Sequence, residues 1–339
     1  MGLRSPIRTF LVASCVLLAS CQGPTIAPRS SDQGAAATTG EPTPAVGIGR
    51  SARKARIVEP TSGWPRKVED VSGVVTIPSK PLRIHTLSVG FDEITFRLVD
   101  LSRVIAVGRS TADPQFSNVA DQARLVPHRV GRNAEEIVAL EPDLVVASPF
   151  ASIDLLDHLR AASIPVVVAD LVSSVDAHEE NIRFLAYLYG EEGRAEVLVQ
   201  EVRGRIERLR RIVAQQPTHT RVLVLTGATA AGAATSEDGI LRLAGATNAA
   251  AEVGLTGNRE ISLEVIPGMD PDVIVITEPD PARPLAASNL LLQHPGLQDL
   301  RALRENRVVR IKSSLTSTLS HWNISGAEEM ARAFYPGAL

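Results

Sequence analysis

The chain has 339 residues, of which 44% are hydrophobic, and its 7 Phe, 2 Trp and 3 Tyr give it little aromatic content. This length exceeds that of a usual single core, so it predicts two domains with aliphatic interiors. The formal net charge of −3 is too balanced to indicate a nucleic-acid partner.

Residues 1–20 have the order of a secretory signal peptide. Arg4 and Arg8 precede a mainly apolar run over residues 10–19, which is too short for a membrane span because a spanning helix needs about 20 apolar residues. The run ends in Leu-Ala-Ser-Cys at residues 18–21, which resembles a bacterial lipobox. We therefore predict cleavage before Cys21 and a lipid anchor on that residue. A plain signal peptide with an incidental cysteine, or processing at Cys15, are the alternatives.

A tether and a first α/β lobe follow the signal peptide. Residues 21–56 are rich in Ala, Thr, Pro, Gly and Ser, a composition that predicts a disordered segment because little apolar surface can be buried. Residues 64–70 and 74–78 flank Ser72-Gly73 and predict a β-hairpin. Apolar strand candidates at residues 83–87, 104–107, 144–147 and 166–169 alternate with helical patterns, so residues 57–190 are predicted to form an N-terminal lobe of βαβ units.

A long helix and a second lobe complete the chain. Residues 191–216 form a charged segment with apolar residues at helical spacing, namely Leu198, Val202, Ile206, Leu209 and Val213, and Pro217 ends it. We predict one linking helix there. Residues 217–339 are predicted to form the C-terminal lobe, with strands at residues 222–225, 273–276 and 308–311 and a last helix over residues 325–334.

One pattern occurs in both lobes at a constant offset of 129 residues, from 135 to 264 and from 143 to 272. In each copy a capping Asn or Ser precedes a Glu, a short helix, a Pro-Asp turn and a buried apolar strand. The predicted fold is therefore α/β, with two lobes that are each a mostly parallel sheet flanked by helices, joined by one long helix.

Four segments carry a resemblance to a known family: residues 80–84, 131–145, 243–250, and 261–264 followed by residues 271–273. Together with the lipobox and the linking helix, they resemble the substrate-binding proteins of bacterial ABC importers for ferric siderophores, haem and cobalamin, the helical-backbone class of periplasmic binding proteins. The resemblance spans residues 64–336. Leu98-Val99-Asp100 departs from it, since relatives usually have Leu-Gly there.

This resemblance implies a function and a location. The chain would be exported, monomeric, and lipid-anchored at the outer face of the cytoplasmic membrane or periplasmic. It would need no intrinsic cofactor and would deliver a metal chelate to ABC permease subunits. We expect a ferric siderophore, with haem or cobalamin as the alternative. The resemblance also implies that Glu135 and Glu264 dock onto permease arginines. Each glutamate could equally face the positive end of its helix dipole, and docking does not exclude that role.

The ligand is expected where loops leave the carboxyl ends of the strands. The candidate contacts are Phe91, Arg109, Arg129, Arg132, Ser148, Phe150, Thr226, Asn258, Arg259, Thr277 and His321. Each alone could be an ordinary solvated loop residue. Together, Arg109, Arg132 and Arg259 favour an anionic ligand through bidentate contacts.

Alternative ligands receive less support from the sequence. Corrinoid-binding relatives tend to have tryptophans near the positions of Arg129, Ser148 and Asn258, and none of these is aromatic. An axial ligand for haem is limited to His128 or His321, because the candidate tyrosines 187, 189 and 335 fall on helical or terminal segments. The seven His lack the spacing of a site for a bare metal ion.

Two other classes of protein are alternatives to a binding protein: an enzyme and a scaffold. An enzyme is not expected, because the chain has no Gly-x-Ser-x-Gly or His-Glu-x-x-His motif and residues 227–232 lack the Lys of a phosphate-binding loop. Asp92, Glu93 and Glu278 are candidates for a carboxylate pair, but acids that follow strands are common on surfaces, so we expect these to be surface residues. A lipid-anchored scaffold without a transported ligand is the remaining alternative.

Overall fold

The computed structural model describes residues 55–170, 175–216, 220–282 and 286–339. The predicted signal peptide, the predicted lipidation site Cys21 and residues 21–54 of the predicted tether lie outside this range. Strand β1 (Arg56–Ile57) begins within the predicted tether and pairs with β2 (Arg66–Asp70).

An antiparallel sheet of β1, β2 and β3 (Gly73–Ile77) contains the predicted hairpin. Gly73 closes its turn with φ of 114°, a conformation that favours glycine. Arg66 attaches the hairpin to the lobe: its guanidinium carbon lies 4.5 Å from the ring centroid of Trp64 and 4.7 Å from that of Tyr187. The same group donates to the Tyr187 carbonyl and pairs with Glu192. A buried cation stacked on two rings thus fixes the sheet in place.

The N-terminal lobe is a five-stranded parallel sheet in the order β6-β5-β4-β7-β8. Its elements are β4 (Ile84–Thr86), α1 (Val89–Leu98), β5 (Val104–Gly108), α2 (Ala120–Ala123), β6 (His128–Val130), α3 (Ala134–Val138), β7 (Leu144–Ala147), α4 (Ile153–Ala161), β8 (Val166–Val168) and α5 (His178–Tyr189). Strands β4, β7 and β8 are buried along their whole length. Helices cover both faces of such a sheet, which explains the continuous apolar runs in the sequence.

Helix α6 (Glu192–Val213) lies at the position predicted for the linking helix. It follows Gly190, which ends α5 with φ of 69°. Its buried face consists of the predicted apolar stripe together with Ala195 and Val199, while Val213 is only partly buried. This face packs against α1 and α5 of the first lobe and against helices of the second. One hydrophobic core consequently continues through both lobes.

The C-terminal lobe is a six-stranded mixed sheet in the order β12-β10-β9-β13-β14, with β11 paired to β9. Its elements are β9 (Thr220–Thr226), β10 (Thr229–Ala231), α7 (Ser236–Leu243), β11 (Ala246–Asn248), α8 (Ala249–Glu252), β12 (Asn258–Glu260), α9 (Ile266–Met269), β13 (Val273–Glu278), α10 (Ala286–Leu292), α11 (Arg301–Arg304), β14 (Val308–Lys312) and α12 (Asn323–Phe334). Strands β9, β11, β13 and β14 are parallel, and β10 is antiparallel to both of its neighbours. The predicted fold class is confirmed.

The first copy of the repeat forms a turn that holds the neighbouring strand. Glu141 adopts the left-handed conformation with φ of 45°, and the carboxylate of Asp143 accepts hydrogen bonds from the backbone N–H groups of Leu82 (2.7 Å) and Arg83 (2.9 Å). The Arg83 side chain in turn donates to the Glu141 carbonyl at 2.9 Å. The Pro-Asp turn therefore fixes the chain that enters β4.

The second copy repeats this turn but not the helix before it. Asp270 has φ of 37°, Asp272 accepts from the Arg221 N–H at 2.8 Å, and the Arg221 side chain donates to the Asp270 carbonyl at 3.0 Å. The predicted cap at Ser262 is wrong, because α9 begins only at Ile266 and contains Pro267 in its first turn. A helix capped at Ser262 would place that proline in its interior, where the missing N–H breaks a hydrogen bond.

Candidate ligand-binding site

A cavity of about 540 Å³ opens at the carboxyl ends of β4, β5, β6 and β7. Its lining comprises residues 85–90, 108–111, 116, 130–132, 148 and 150 of the N-terminal lobe and residues 317–319 of the C-terminal lobe. The side chains must meet here because parallel strands end at the same edge of their sheet. A volume of this size suits a small-molecule ligand.

Arg109 and Arg132 give the cavity its charge. Both were predicted as ligand contacts, both line the cavity, and both are exposed. Neither guanidinium makes an ion pair or a hydrogen bond with another residue in the described part of the chain. No carboxylate is among the described residues that line the cavity. Two free planar cations can therefore bind carboxylate, catecholate or phosphate oxygens through bidentate hydrogen bonds.

Hydroxyl groups line the floor of the cavity and are held by a buried acid. Thr86 and Thr111 donate to opposite oxygens of Asp92, at 2.5 and 2.6 Å. Asp92 is fully buried, and burial raises its pKa to about 7 against the opposing effect of these two hydrogen bonds. Its neighbour Glu93 is also buried, which raises its pKa. The expectation that these acids lie on the surface is wrong, because α1 begins at Val89 and directs both into the interior.

Two phenylalanines expose apolar surface beside the arginines. Phe150, a predicted contact, is 82% exposed, and Phe116, which was not predicted, is 55% exposed. Both line the cavity, as does the predicted Ser148. No motif or periodicity marks Phe116, because its exposure depends on how the loop after β5 packs. Exposed rings of this kind can pack on a flat or aromatic ligand.

His85 provides a buried acceptor at the floor of the cavity. Its Nδ1 lies 3.0 Å from the Ala106 carbonyl, which can only accept, so Nδ1 carries the proton. Burial lowers the pKa of the imidazole, which keeps the ring neutral. Its Nε2 then has a free lone pair and has no hydrogen-bond partner among the described residues. No motif or spacing singles out this histidine, because it lies within a strand.

Two candidates of the N-terminal lobe do not line the cavity. Phe91 is completely buried in the main hydrophobic core, because it lies on the face of α1 that packs inward. Arg129 is exposed near the end of β6 and donates to the Ala123 carbonyl at 3.0 Å. Strand alternation directs Arg129 away from its neighbour Val130, which does line the cavity.

The five candidates of the C-terminal lobe are also outside the cavity lining. Thr226 and Thr277 hydrogen-bond to each other at the ends of β9 and β13, and Thr277 is buried. Asn258 and Arg259 are exposed on the edge strand β12, where Arg259 donates to the Thr256 carbonyl. His321 is 2% exposed, and burial lowers its pKa to about 3. The C-terminal lobe reaches the cavity instead through residues 317–319, which precede α12.

Glu135 and Glu264 are both exposed and occupy equivalent places in the two sheets. Glu135 lies in the first turn of α3, whose cap Asn133 accepts from the N–H groups of Glu135 and Glu136. Glu264 lies in the turn before α9. Each follows the end of a strand, β6 or β12, that runs parallel to the central strands of its sheet. Both acids therefore lie toward the carboxyl edge of their sheet, the edge at which the cavity opens.

Residues 55–170, 175–216, 220–282 and 286–339 contain no group of three or more His, Cys, Asp or Glu side chains arranged to hold a metal ion. Within the same ranges, no helix combines the length and hydrophobicity that a membrane span requires.

Comparisons with known proteins identify the class of protein. The family model described as periplasmic binding protein matches residues 85–315, and the chain belongs to this family. It is 27% identical over 286 residues to an uncharacterised ABC transporter substrate-binding lipoprotein, YvrC, of Bacillus subtilis, covering 81% of this chain and 87% of that protein.

Two further relatives have named ligands. A cobalamin-binding protein of Halobacterium salinarum is 26% identical over 265 residues, covering 77% of this chain and 71% of that protein. The solved structure of the periplasmic haem-binding protein RhuT from Roseiflexus sp. RS-1, in apo form, has a TM-score of 0.66 and 27% identity, covering 76% of this chain and 99% of that chain.

Proposed function

We propose that this chain is the substrate-binding component of an ABC importer and captures an anionic metal chelate, with a ferric siderophore as the first candidate. The observation that carries this proposal is the pair of unpaired arginines, Arg109 and Arg132, above a cavity lined by hydroxyl groups. A ferric siderophore with carboxylate or catecholate groups presents negative oxygens that match both cations. Its iron is already fully coordinated, so it needs no protein ligand to the metal.

Haem is the second candidate, supported by two observations. Phe116 and Phe150 can pack on the face of a porphyrin while the arginines bind its propionates. His85 is a neutral imidazole whose Nδ1–H is held by a backbone carbonyl, the arrangement common for a metal-binding histidine. However, its Nε2 is inaccessible to solvent in this conformation, so ligation would require the loop above it to move. Cobalamin binding is supported only by similarity to the Halobacterium protein.

Equilibrium titration of the full chain, followed by quenching of its intrinsic fluorescence, tests the proposal. The probes are ferric enterobactin, which is anionic, ferrichrome, which is uncharged, haemin and cyanocobalamin. We expect ferric enterobactin to bind, and Arg109→Ala with Arg132→Ala to raise its Kd about 100-fold, since each bidentate contact contributes roughly a factor of ten. Arg129→Ala is the matched control, because this arginine lies outside the cavity.

Other outcomes of the titration would assign a different ligand to the cavity. Selective binding of haemin that is lost in His85→Ala would replace the siderophore with haem. Binding of cyanocobalamin alone, without dependence on either arginine, would favour the corrinoid. A chain that binds none of the four probes would support the scaffold alternative.

In the proposed mechanism, the lipid on Cys21 keeps the protein at the membrane, and Glu135 and Glu264 present the loaded cavity to the permease. Two exposed acids, one on each lobe, can pair with two cations on a symmetric partner and so define one orientation. The similarity to YvrC supports a lipoprotein attached outside the cytoplasm. The proposed role is binding and delivery, with no catalytic step.

A further inference from the structure

The C-terminal wall of the cavity is held by an acid of the opposite lobe. Residues 317–319 are the part of the C-terminal lobe that lines the cavity. Thr318 within this segment donates to Glu93 Oε2 at 2.5 Å, and Ser320 just after it donates to the same oxygen. Glu93 belongs to α1 of the N-terminal lobe, and Glu93, Thr318 and Ser320 are all buried.

Asn118 forms a second connection next to the first. Its backbone N–H and its side-chain Nδ2 donate to Glu93 Oε1 at 2.9 and 2.8 Å. The same Nδ2 also donates to the Ser314 carbonyl at 2.7 Å, and the Ser314 hydroxyl donates to Asn118 Oδ1 at 2.9 Å. The wall segment is therefore bonded to the N-terminal lobe on both of its sides, at Ser314 and at Ser320.

We propose that Glu93 is a positioning residue of the ligand site, which with Asn118 fixes the distance between the 317–319 wall and the arginines on the opposite side. The ligand-related part of this inference rests on the proposed function. Both oxygens of Glu93 are saturated with hydrogen bonds from two lobes, so the carboxylate acts as a bridge that no single lobe could supply. Removal of the bridge leaves the backbone N–H of Asn118 without its acceptor, leaves only the Thr318–Ser320 hydrogen bond to be donated by the two buried hydroxyls, and frees the wall to move.

Burial alone does not explain this arrangement, because the C-terminal lobe has a similar acid without a bridge. The first turn of helix α7 contains the buried residues Glu237 and Asp238. Asp238 accepts from Asn248 at 3.1 Å and pairs with Arg242, so its contacts remain within its own lobe. Asp238→Ala is therefore a matched control, since it removes a buried acid and its hydrogen bonds without touching the connection between the lobes.

Hydrogen exchange of the full chain, monitored by mass spectrometry, tests whether Glu93 holds the wall. This measurement needs no ligand. In Glu93→Ala we expect amides of residues 313–322 and of Asn118 to exchange at least about tenfold faster, while β5 and β7 keep their protection. Glu93→Gln should restore most of the protection, because its amide oxygen still accepts from Asn118 and its NH₂ group can donate to Thr318. Asp238→Ala should leave exchange in residues 313–322 unchanged.

Titration of the same variants with ferric enterobactin, haemin and cyanocobalamin tests positioning. We expect Glu93→Ala to raise the Kd of the bound probe about tenfold, and Glu93→Gln and Asp238→Ala to change it less than about threefold. Unchanged exchange in Glu93→Ala, or faster exchange with unchanged affinity, would overturn the proposal. If the wild-type chain bound no probe, the proposed function would fail, and the exchange measurement would still decide whether Glu93 holds the segment.

Discussion

The two lobes are alike at the amino-terminal edge of their sheets and different at the carboxyl edge. At the amino-terminal edge, Asp143 and Asp272 accept hydrogen bonds from the backbone of the neighbouring segment in the same lobe. In each lobe an arginine of that segment, Arg83 or Arg221, donates to the carbonyl of a residue in the left-handed conformation. At the carboxyl edge, the N-terminal lobe supplies both arginines, both phenylalanines and the hydroxyl floor of the cavity, whereas the C-terminal lobe supplies one short segment. The repeated Pro-Asp turns therefore stabilise the fold, and the ligand site depends on residues that are not repeated.

The buried acids at the start of α1 and α7 show the same division. Both helices have two adjacent buried acids near their N-terminal ends, Asp92 and Glu93 in one lobe and Glu237 and Asp238 in the other. In α7 they bond within the lobe, whereas in α1 one acid holds the cavity floor and the other holds the opposite lobe. A pair of adjacent buried acids thus stabilises one lobe internally and holds the geometry of the ligand site in the other.

The largest expected effect concerns the one pair of exposed residues that we treat as equivalent in the two lobes. Glu135→Ala combined with Glu264→Ala should abolish uptake in cells that express the full chain and its permease, because both anchors of the docked complex are lost. Ligand affinity should stay within about twofold of wild type, since neither residue lines the cavity. Glu136→Ala, an exposed acid adjacent to Glu135, is the control. Loss of affinity in the double variant would assign these acids to the ligand site.

The next prediction concerns the pH dependence of stability that the buried Asp92 of the N-terminal lobe should cause. The folded-state pKa of Asp92 is raised to about 7 from 3.8, so the folded protein keeps a proton that the unfolded chain releases. Its contribution to stability is complete below pH 3.8 and is lost as the pH rises toward 7. Asp92→Asn removes this loss, so its stability relative to wild type should increase by roughly 4 kcal/mol between pH 4 and 7. Denaturant unfolding of both proteins at several pH values measures this difference in the free energy of unfolding. Parallel plots of that free energy against pH would contradict the prediction.

Substitutions in the two repeated Pro-Asp turns should lower stability by smaller amounts, which differ little between the lobes. Asp143→Ala should cost about 2 kcal/mol, because its carboxylate accepts from two backbone N–H groups, and Asp272→Ala about 1 kcal/mol, because its carboxylate accepts from one. Chemical denaturation of each variant gives the two values. Asp121→Ala is the control with little expected change, since this acid is 94% exposed and pairs only with Arg124. A larger effect at Asp272 would show that its ion pair with Arg301 outweighs the second backbone contact.

Local patterns predicted most of the fold, whereas four of the eleven predicted ligand contacts line the cavity. The strand runs, the helical stripe from Leu198 to Leu209 and the Pro-Asp turns could be predicted because each depends on neighbouring residues. Arg109, Arg132, Ser148 and Phe150 follow strand ends, and the strand-end rule was sufficient to find them. The wall at Thr318 could not be predicted, because its partner Glu93 is 225 residues away in the sequence. Burial of His321 and Thr277 likewise depends on how α12 and β13 pack.

The smallest expected effect is the strictest test of the unequal lobes. Arg259 has the same chemistry as Arg109 and also lies near the carboxyl edge of its sheet, but it is on the edge strand β12 and outside the cavity lining. Arg109→Ala should raise the Kd for ferric enterobactin about tenfold, and Arg259→Ala should change it less than about twofold. Equal losses would mean that the lobes close further on the ligand and bring β12 to the site. Because α6 packs against helices of both lobes and one core continues through them, we expect closure to be too small for that contact.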